Sequence, residues 1–255
     1  MQKVKLSNEI YMPELGVEIK NVKEGEIYGV IRWAIKLGVM CFDVSGASDT
    51  QINEAGFGFR DVMIEDKIKR NDLFVIGSGG DKIKSLENLG LEYWDLCLLE
   101  KNEKIVGDED IVVLWKELEE LYRSEKCKAI GISDFLYKEA LLIDEKAEIN
   151  PMVCKIIRNP YENQKEMIEW GEKNNVIMVE YGLFGKDDKV LDNEVIKEIA
   201  KRNELSVKEV CIGWAKEKGV VLPKIQNEDD LKESIKALEI KLDNMDMEMI
   251  WGIGG

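Results

Sequence analysis

The chain has 255 residues, with 51 acidic side chains against 36 basic, no histidine and a formal net charge of -15. Such an excess of negative charge disfavours nucleic acid and anionic membrane as partners, since both are polyanions. No run approaches the ~20 apolar residues of a membrane span, and the N-terminal MQKVKLSNEI has no signal-peptide apolar region, so a cytoplasmic location is expected.

The length suits one full core, and a single domain over residues 1–255 is expected. In chain order, short apolar runs read as strands: LGVEI at 15–19, VMCFDV at 39–44, LFVIGS at 73–78, DLCLLE at 95–100, KAIGIS at 128–133, MVCKII at 152–157, VIMVEY at 176–181 and VVLP at 220–223. Between them, segments such as EIYGVIRWAIKLG, LWKELEELYRSEK and EVIKEIAKRN place apolar residues three or four apart, as amphipathic helices packed on a sheet require. Eight strands alternating with helices predict an α/β fold, a closed (β/α)8 TIM barrel, and the lack of a GxGxxG turn near the start argues against a doubly wound sheet. Cys41, Cys97, Cys127, Cys154 and Cys211 are odd in number and include no CxxC pair, so buried free thiols are expected rather than disulfides or a metal cluster.

Six segments in order resemble the aldo-keto reductase superfamily. They are MPELG at 12–16, SLENLGLEYWDLCLLE at 85–100, AIGISDF at 129–135, PMVCKIIRNPY at 151–161, VEYGLFG at 179–185 and VVLPK at 220–224. The resemblance implies short loops, and a chain that ends soon after LDNMDMEMIW implies a truncated C-terminal loop and an open mouth. It also implies a catalytic tetrad of Asp, Tyr, Lys and His, of which only the aspartate survives, as Asp43. The lysine position falls on Ser78, the histidine position on Glu100, and the tyrosine position on Ser48 or Gln51. Without the tyrosine that protonates the carbonyl oxygen, ordinary tetrad-driven reduction is not expected.

For the cofactor, the resemblance places Ser133, Asp134, Tyr181 and Lys224 at positions that hold a nicotinamide dinucleotide. Against binding, Lys155 replaces a glutamine, Glu18 replaces a glycine, and Asp230 stands where an arginine would meet a 2′-phosphate, which an aspartate repels. These changes lead to an expectation of no cofactor, with weak NAD or NADP binding as the alternative.

Strand alternation points Asp43, Glu100 and Lys155 inward at the C-terminal ends of the second, fourth and sixth strands, where barrel enzymes place their chemistry. Two carboxylates beside one ammonium can hold and release protons, so the leading expectation is a cofactor-independent acid/base enzyme of lyase or isomerase type acting on a small molecule. A structural ion-pair cluster explains the same three residues equally well, and a Schiff-base lysine fits less well because adjacent carboxylates raise a lysine's pKa. Two other functions stay open: an NAD(P)H-dependent oxidoreductase with Glu100 as a non-standard proton donor, and a non-catalytic barrel that regulates or scaffolds a protein partner.

Overall fold

The computed structural model describes residues 1–78, 82–101, 105 and 107–254. A hairpin opens the chain, β1 (Lys3–Lys5) pairing antiparallel with β2 (Tyr11–Pro13). Eight parallel strands follow: β3 (Gly16–Glu18), β4 (Cys41–Asp43), β5 (Phe74–Ser78), β6 (Leu96–Glu100), β7 (Ile130–Ser133), β8 (Val153–Ile157), β9 (Ile177–Tyr181) and β10 (Gly219–Leu222). Each pairs with its sequence neighbours, and the first and last meet through a bridge between Leu15 and Val221, where the Val221 N–H donates to the Glu14 carbonyl at 2.9 Å. The sheet closes into a (β/α)8 barrel.

Every strand expected from the apolar runs is present. The hairpin went unread because three-residue strands carry too little alternation to stand out. It helps close the N-terminal end of the barrel: Asn8 Nδ2 donates to the Lys128 carbonyl at 2.8 Å, while Leu6 and Met12 are buried.

Helices cover the outside of the sheet because each carries one apolar stripe. In α1 (Ile27–Lys36), Ile27, Ile31 and Ala34 are buried; in α4 (Asp108–Arg123) the stripe is Ile111, Trp115 and Leu118. α2 (Asp49–Glu65) starts at a capping box, Ser48 accepting from Gln51 N–H while Gln51 accepts from Ser48 N–H. Trp115 and Trp214 pack in the core as their helical spacing required, and all five cysteines are buried and unbridged. Among the described residues no helix is long and apolar enough to cross a membrane.

Close packing limits what the sheet tolerates. A Cβ at Gly77 of β5 would stand 2.6 Å from the six-membered ring of Trp94, which is itself buried and has little room to retreat. Gly77→Ala is expected to destabilise the fold by about 1–3 kcal/mol through overpacking. Urea unfolding checks it, and an unchanged midpoint would show that Trp94 can move aside.

Candidate active site

The C-terminal ends of the strands bring a group of charged side chains together. Lateral register puts Glu18 of β3 beside Asp43 of β4, and Glu100 of β6 beside Ser133 of β7, which is in turn beside Lys155 of β8. Register partners in a parallel sheet face the same side, so all five point into the barrel.

Lys155 is the centre of this group, with only 1% of its surface exposed. Its Nζ lies 2.5 Å from Asp43 Oδ2, 3.0 Å from Glu18 Oε1 and 3.2 Å from Ser45 Oγ. Asp43 is fixed further by the Ser45 N–H, which donates to Oδ1 at 2.8 Å. Burial alone disfavours the ammonium, but Asp43 and then Glu18 overcome that penalty and hold Lys155 protonated well above the ordinary lysine range. An ammonium so held does not act as a base or as a Schiff-base nucleophile.

The second acid at Lys155 is therefore Glu18. Glu100 stands two strands from Lys155 at the end of β6, and the triad of Asp43, Glu100 and Lys155 expected from strand alternation does not form around the ammonium. Alternate strands do share a layer, but the long lysine side chain crosses to the first and second strands and not back to the fourth. The sequence held a usable signal for Glu18, since it ends the first strand one register step from Asp43.

Glu18 also reaches outward. Lys20 Nζ is 3.2 Å from Glu18 Oε1, and Asn21 Nδ2 donates to Oε2 at 2.8 Å. The turn carrying Lys20 is anchored by Gln51, one of the two candidates for the tyrosine position, whose Nε2 donates to the carbonyls of Ile19, Lys20 and Val22. Ser48, the other candidate, caps α2 and donates to Glu24 at 2.8 Å. Both positions serve the local backbone.

Tyr181 stands over this network. The ammonium groups of Lys20 and Lys155 each lie 4.6 Å from its ring centroid, and its hydroxyl donates to Asp134 Oδ2 at 2.7 Å. Ser133 Oγ also lies 3.3 Å from that carboxylate oxygen. Asp134 follows β7 with a φ of 61°, a left-handed conformation that Asp tolerates better than most residues, and its N–H donates to the Lys155 carbonyl. Burial, and next the Asp134 carboxylate, push the Tyr181 phenol well above its ordinary value, so it keeps its proton.

Lys224 lies apart from this centre. It forms an exposed pair with Asp188, Nζ to Oδ2 at 2.8 Å, in the segment after β9. Asp230 closes the start of α9 (Glu228–Ala237), accepting from Gln226 N–H at 3.0 Å and pairing with Lys208 at 2.7 Å. Beside the mouth, a groove of about 640 Å³ begins at Asp134 and runs between Leu136, Tyr137, Ile157 and Tyr161. These four residues are 37–58% exposed and form the apolar part of a groove that Glu162, Asn163, Gln164 and Lys165 also line.

Lys155→Met leaves Asp43 buried without a counter-charge and Glu18 with Lys20 alone, and a loss of about 3–5 kcal/mol is expected. Because Lys155 is held above its unfolded value, its contribution is complete below about pH 10.4 and fades only on raising the pH further. The check is urea unfolding of Lys155→Met beside the triple variant that adds Glu18→Gln and Asp43→Asn, which is expected to regain part of the loss.

The aldo/keto reductase family model matches residues 82–254. The glyoxal reductase of Bacillus subtilis is 32% identical over 97% of this chain and 91% of its own length. The NAD(P)H-dependent D-xylose reductase I,II of Candida tropicalis is 29% identical over 97% and 90%. The crystal structure of an aldo-keto reductase from a Medee basin deep-sea metagenome library superposes with a TM-score of 0.88 at 26% identity, covering 99% of this chain and 96% of that one. Relatives named as reductases, one of them NAD(P)H-dependent, overturn the expectation of a cofactor-independent, non-redox lyase or isomerase and, with it, the expectation of no cofactor. The geometry agrees with that correction, since the lysine meant to exchange protons is locked between two carboxylates. This chain belongs to the aldo/keto reductase family.

Proposed function

We propose that the protein is a cytoplasmic, nicotinamide-dependent oxidoreductase that reduces a small carbonyl compound and draws the proton from a group other than tyrosine. The observation that carries this reading is the Ser133, Asp134 and Tyr181 set at the barrel mouth. A nicotinamide carboxamide has an acceptor oxygen and an NH2 with two donors; Ser133 Oγ can donate to the oxygen and the Asp134 carboxylate can accept from the NH2. The Tyr181 ring offers an aromatic face, although Lys20 now lies over the ring and has to swing aside before a flat ring can stack there. The Lys20 side chain is 29% exposed, and swinging aside breaks its 3.2 Å pair with Glu18. The residues fit the amide end of the cofactor.

When bound, the cofactor supplies the hydride. The protein's part is to hold the substrate, limit water and deliver a proton. Tyr181 cannot deliver it readily, because its hydroxyl is committed to Asp134 and its proton is tightly held. Lys155 is equally locked. Glu100, at the C-terminal end of β6 beside Ser133, is the inward acid outside the Lys155 cluster, and we assign the proton transfer to it. The groove along Leu136, Tyr137, Ile157 and Tyr161 gives the apolar part of the substrate a place to lie.

The dinucleotide's far end supports NAD(H) over NADP(H). Asp229 and Asp230 occupy the first turn of α9, and Asp230 already takes the Gln226 N–H and the Lys208 ammonium that an added phosphate would otherwise meet. Calorimetry at low salt is expected to find tighter binding of NADH than of NADPH; the reverse order, or no binding of either, would sink this reading. Glu100→Gln is expected to lower kcat by about 10² to 10⁴ while leaving NADH affinity unchanged, as read in steady-state kinetics beside the binding isotherm. Unchanged turnover would remove Glu100 from the proton path.

A further inference from the structure

Glu180 lies on β9 immediately before Tyr181, so its side chain leaves the opposite face of the sheet and enters the layer between barrel and helices, where it is fully buried. Its partner is Arg158, the residue that follows β8, also 0% exposed and paired through Nη1 to Glu180 Oε2. Arg158 Nη1 also donates to the Ala215 carbonyl and Nε to the Asn163 carbonyl, both at 3.3 Å. Its guanidinium carbon sits 3.7 Å from the ring centroid of Trp214, in α8 (Val207–Ala215), and 4.9 Å from that of Trp251, in α10 (Asn244–Trp251). The two indoles meet edge to face at 5.5 Å. The arginine thus lies in a corner of two tryptophans, one of them on the last helix of the chain.

The pair is poorly satisfied for a buried one. Among the described residues, Arg158 Nη2, Glu180 Oε1 and Trp214 Nε1 have no hydrogen-bond partner. Two donors and one acceptor left over in one cluster suit a water molecule, which accepts twice and donates. Charge makes that demand stronger, since an ionised carboxylate with a bare oxygen is far more costly to bury than a neutral one.

The cluster is tied to the site on the other side of the sheet. Arg158 N–H donates to the Tyr181 carbonyl at 2.9 Å, and Asn159 Nδ2 to that of Gly182 at 3.4 Å. Asn163 Nδ2 reaches the Trp251 carbonyl at 3.5 Å. The segment from Arg158 to Asn163 therefore links the backbone at Tyr181, one wall of the groove and the C-terminal helix.

We propose that Arg158 and Glu180 form a proton-operated latch, in which Glu180 protonated closes α10 onto the barrel and Glu180 ionised admits water to the cluster and loosens α10 and the groove wall. One proton passes between solvent and the Glu180 carboxyl, and Arg158 stays cationic throughout.

Burial pushes the Glu180 carboxyl up to about 7, against the opposing pull of Arg158 and Lys218. The surrounding elements otherwise present few charges to it: α8 contributes Trp214 and the Ala215 carbonyl, and α10 contributes Trp251. Lys218 is itself paired with Glu172 of α6 (Lys165–Asn174) at 2.6 Å, and Lys165, Glu169 and Glu248 line the outer groove above Trp251. The sign follows from linkage. A hydrated Glu180 has the ordinary carboxylate value, and the closed form binds the proton more tightly than the open one. The closed form is therefore favoured at low pH, and its advantage falls as the pH rises from the ordinary carboxylate value through about 7. Within that window the opening equilibrium rises about tenfold per pH unit and then levels off. With no histidine in the chain, no other side chain has an ordinary value between about pH 5 and 8.

The test is tryptophan emission between pH 5 and 9, paired with hydrogen exchange over residues 244–254 corrected for the intrinsic pH dependence of exchange. In the wild type, emission is expected to move to the red and protection to fall, levelling off near pH 7; in Glu180→Gln both should be flat. Should that variant fail to fold, the double replacement Arg158→Met with Glu180→Met removes the charges while filling the space, and is likewise expected to be flat. A wild type without the transition overturns the latch, as does a transition that survives in either variant.

Discussion

The contact on which the mouth of this barrel depends is the ammonium of Lys155 held between Asp43 and Glu18. Two strand-end carboxylates facing each other across neighbouring strands repel, and neither can be solvated at the depth they occupy. A single cation from β8 cancels that repulsion and joins three strands that are far apart in sequence. The rest of the mouth is arranged around it. Lys20 balances the outer side of Glu18, Tyr181 lies over both ammonium groups, and Asp134 accepts a hydrogen bond from the tyrosine hydroxyl and donates its N–H to the Lys155 carbonyl.

The same sheet carries a second buried ion pair on its other face, and the two behave in opposite ways for a simple reason. Lys155 has two carboxylates and a hydroxyl, so attraction outweighs burial and the charge is kept. Glu180 has one guanidinium, which shares its donors with two backbone carbonyls and faces indole rings, so burial outweighs attraction and the carboxyl moves toward neutrality. Partner number, not depth, separates a fixed charge from a titrating one here.

Much of this was legible in the sequence because strands in a barrel are marked by uninterrupted apolar runs, and all eight stood out. Asp43 and Lys155 were legible as inward strand-end charges for the same reason. What periodicity does not encode is reach. Glu100 and Glu18 are equally inward by alternation, and only the path of a long lysine side chain decides which of them becomes the partner. Glu180 and Arg158 were harder still: the glutamate of IMVEY at 177–181 looks like one polar residue in a strand, and its meaning appears only when the residue after β8 is seen to turn back into the helical layer.

At the positions that the family resemblance gives to the tetrad tyrosine, lysine and histidine, this chain carries Ser48 or Gln51, Ser78 and Glu100. Gln51 and Ser48, at the two candidate tyrosine positions, hold the turns around them. The remaining phenol and ammonium at the centre are both held in their protonated states by neighbouring carboxylates. In the reading proposed above, proton transfer at this mouth falls to a carboxyl group. That is a workable basis for reduction provided the hydride donor supplies the driving force and the site needs the proton only after the carbon–hydrogen bond has formed. An alkoxide is a strong base, so in the reading proposed above a carboxyl at the end of β6 is acid enough to complete the reaction.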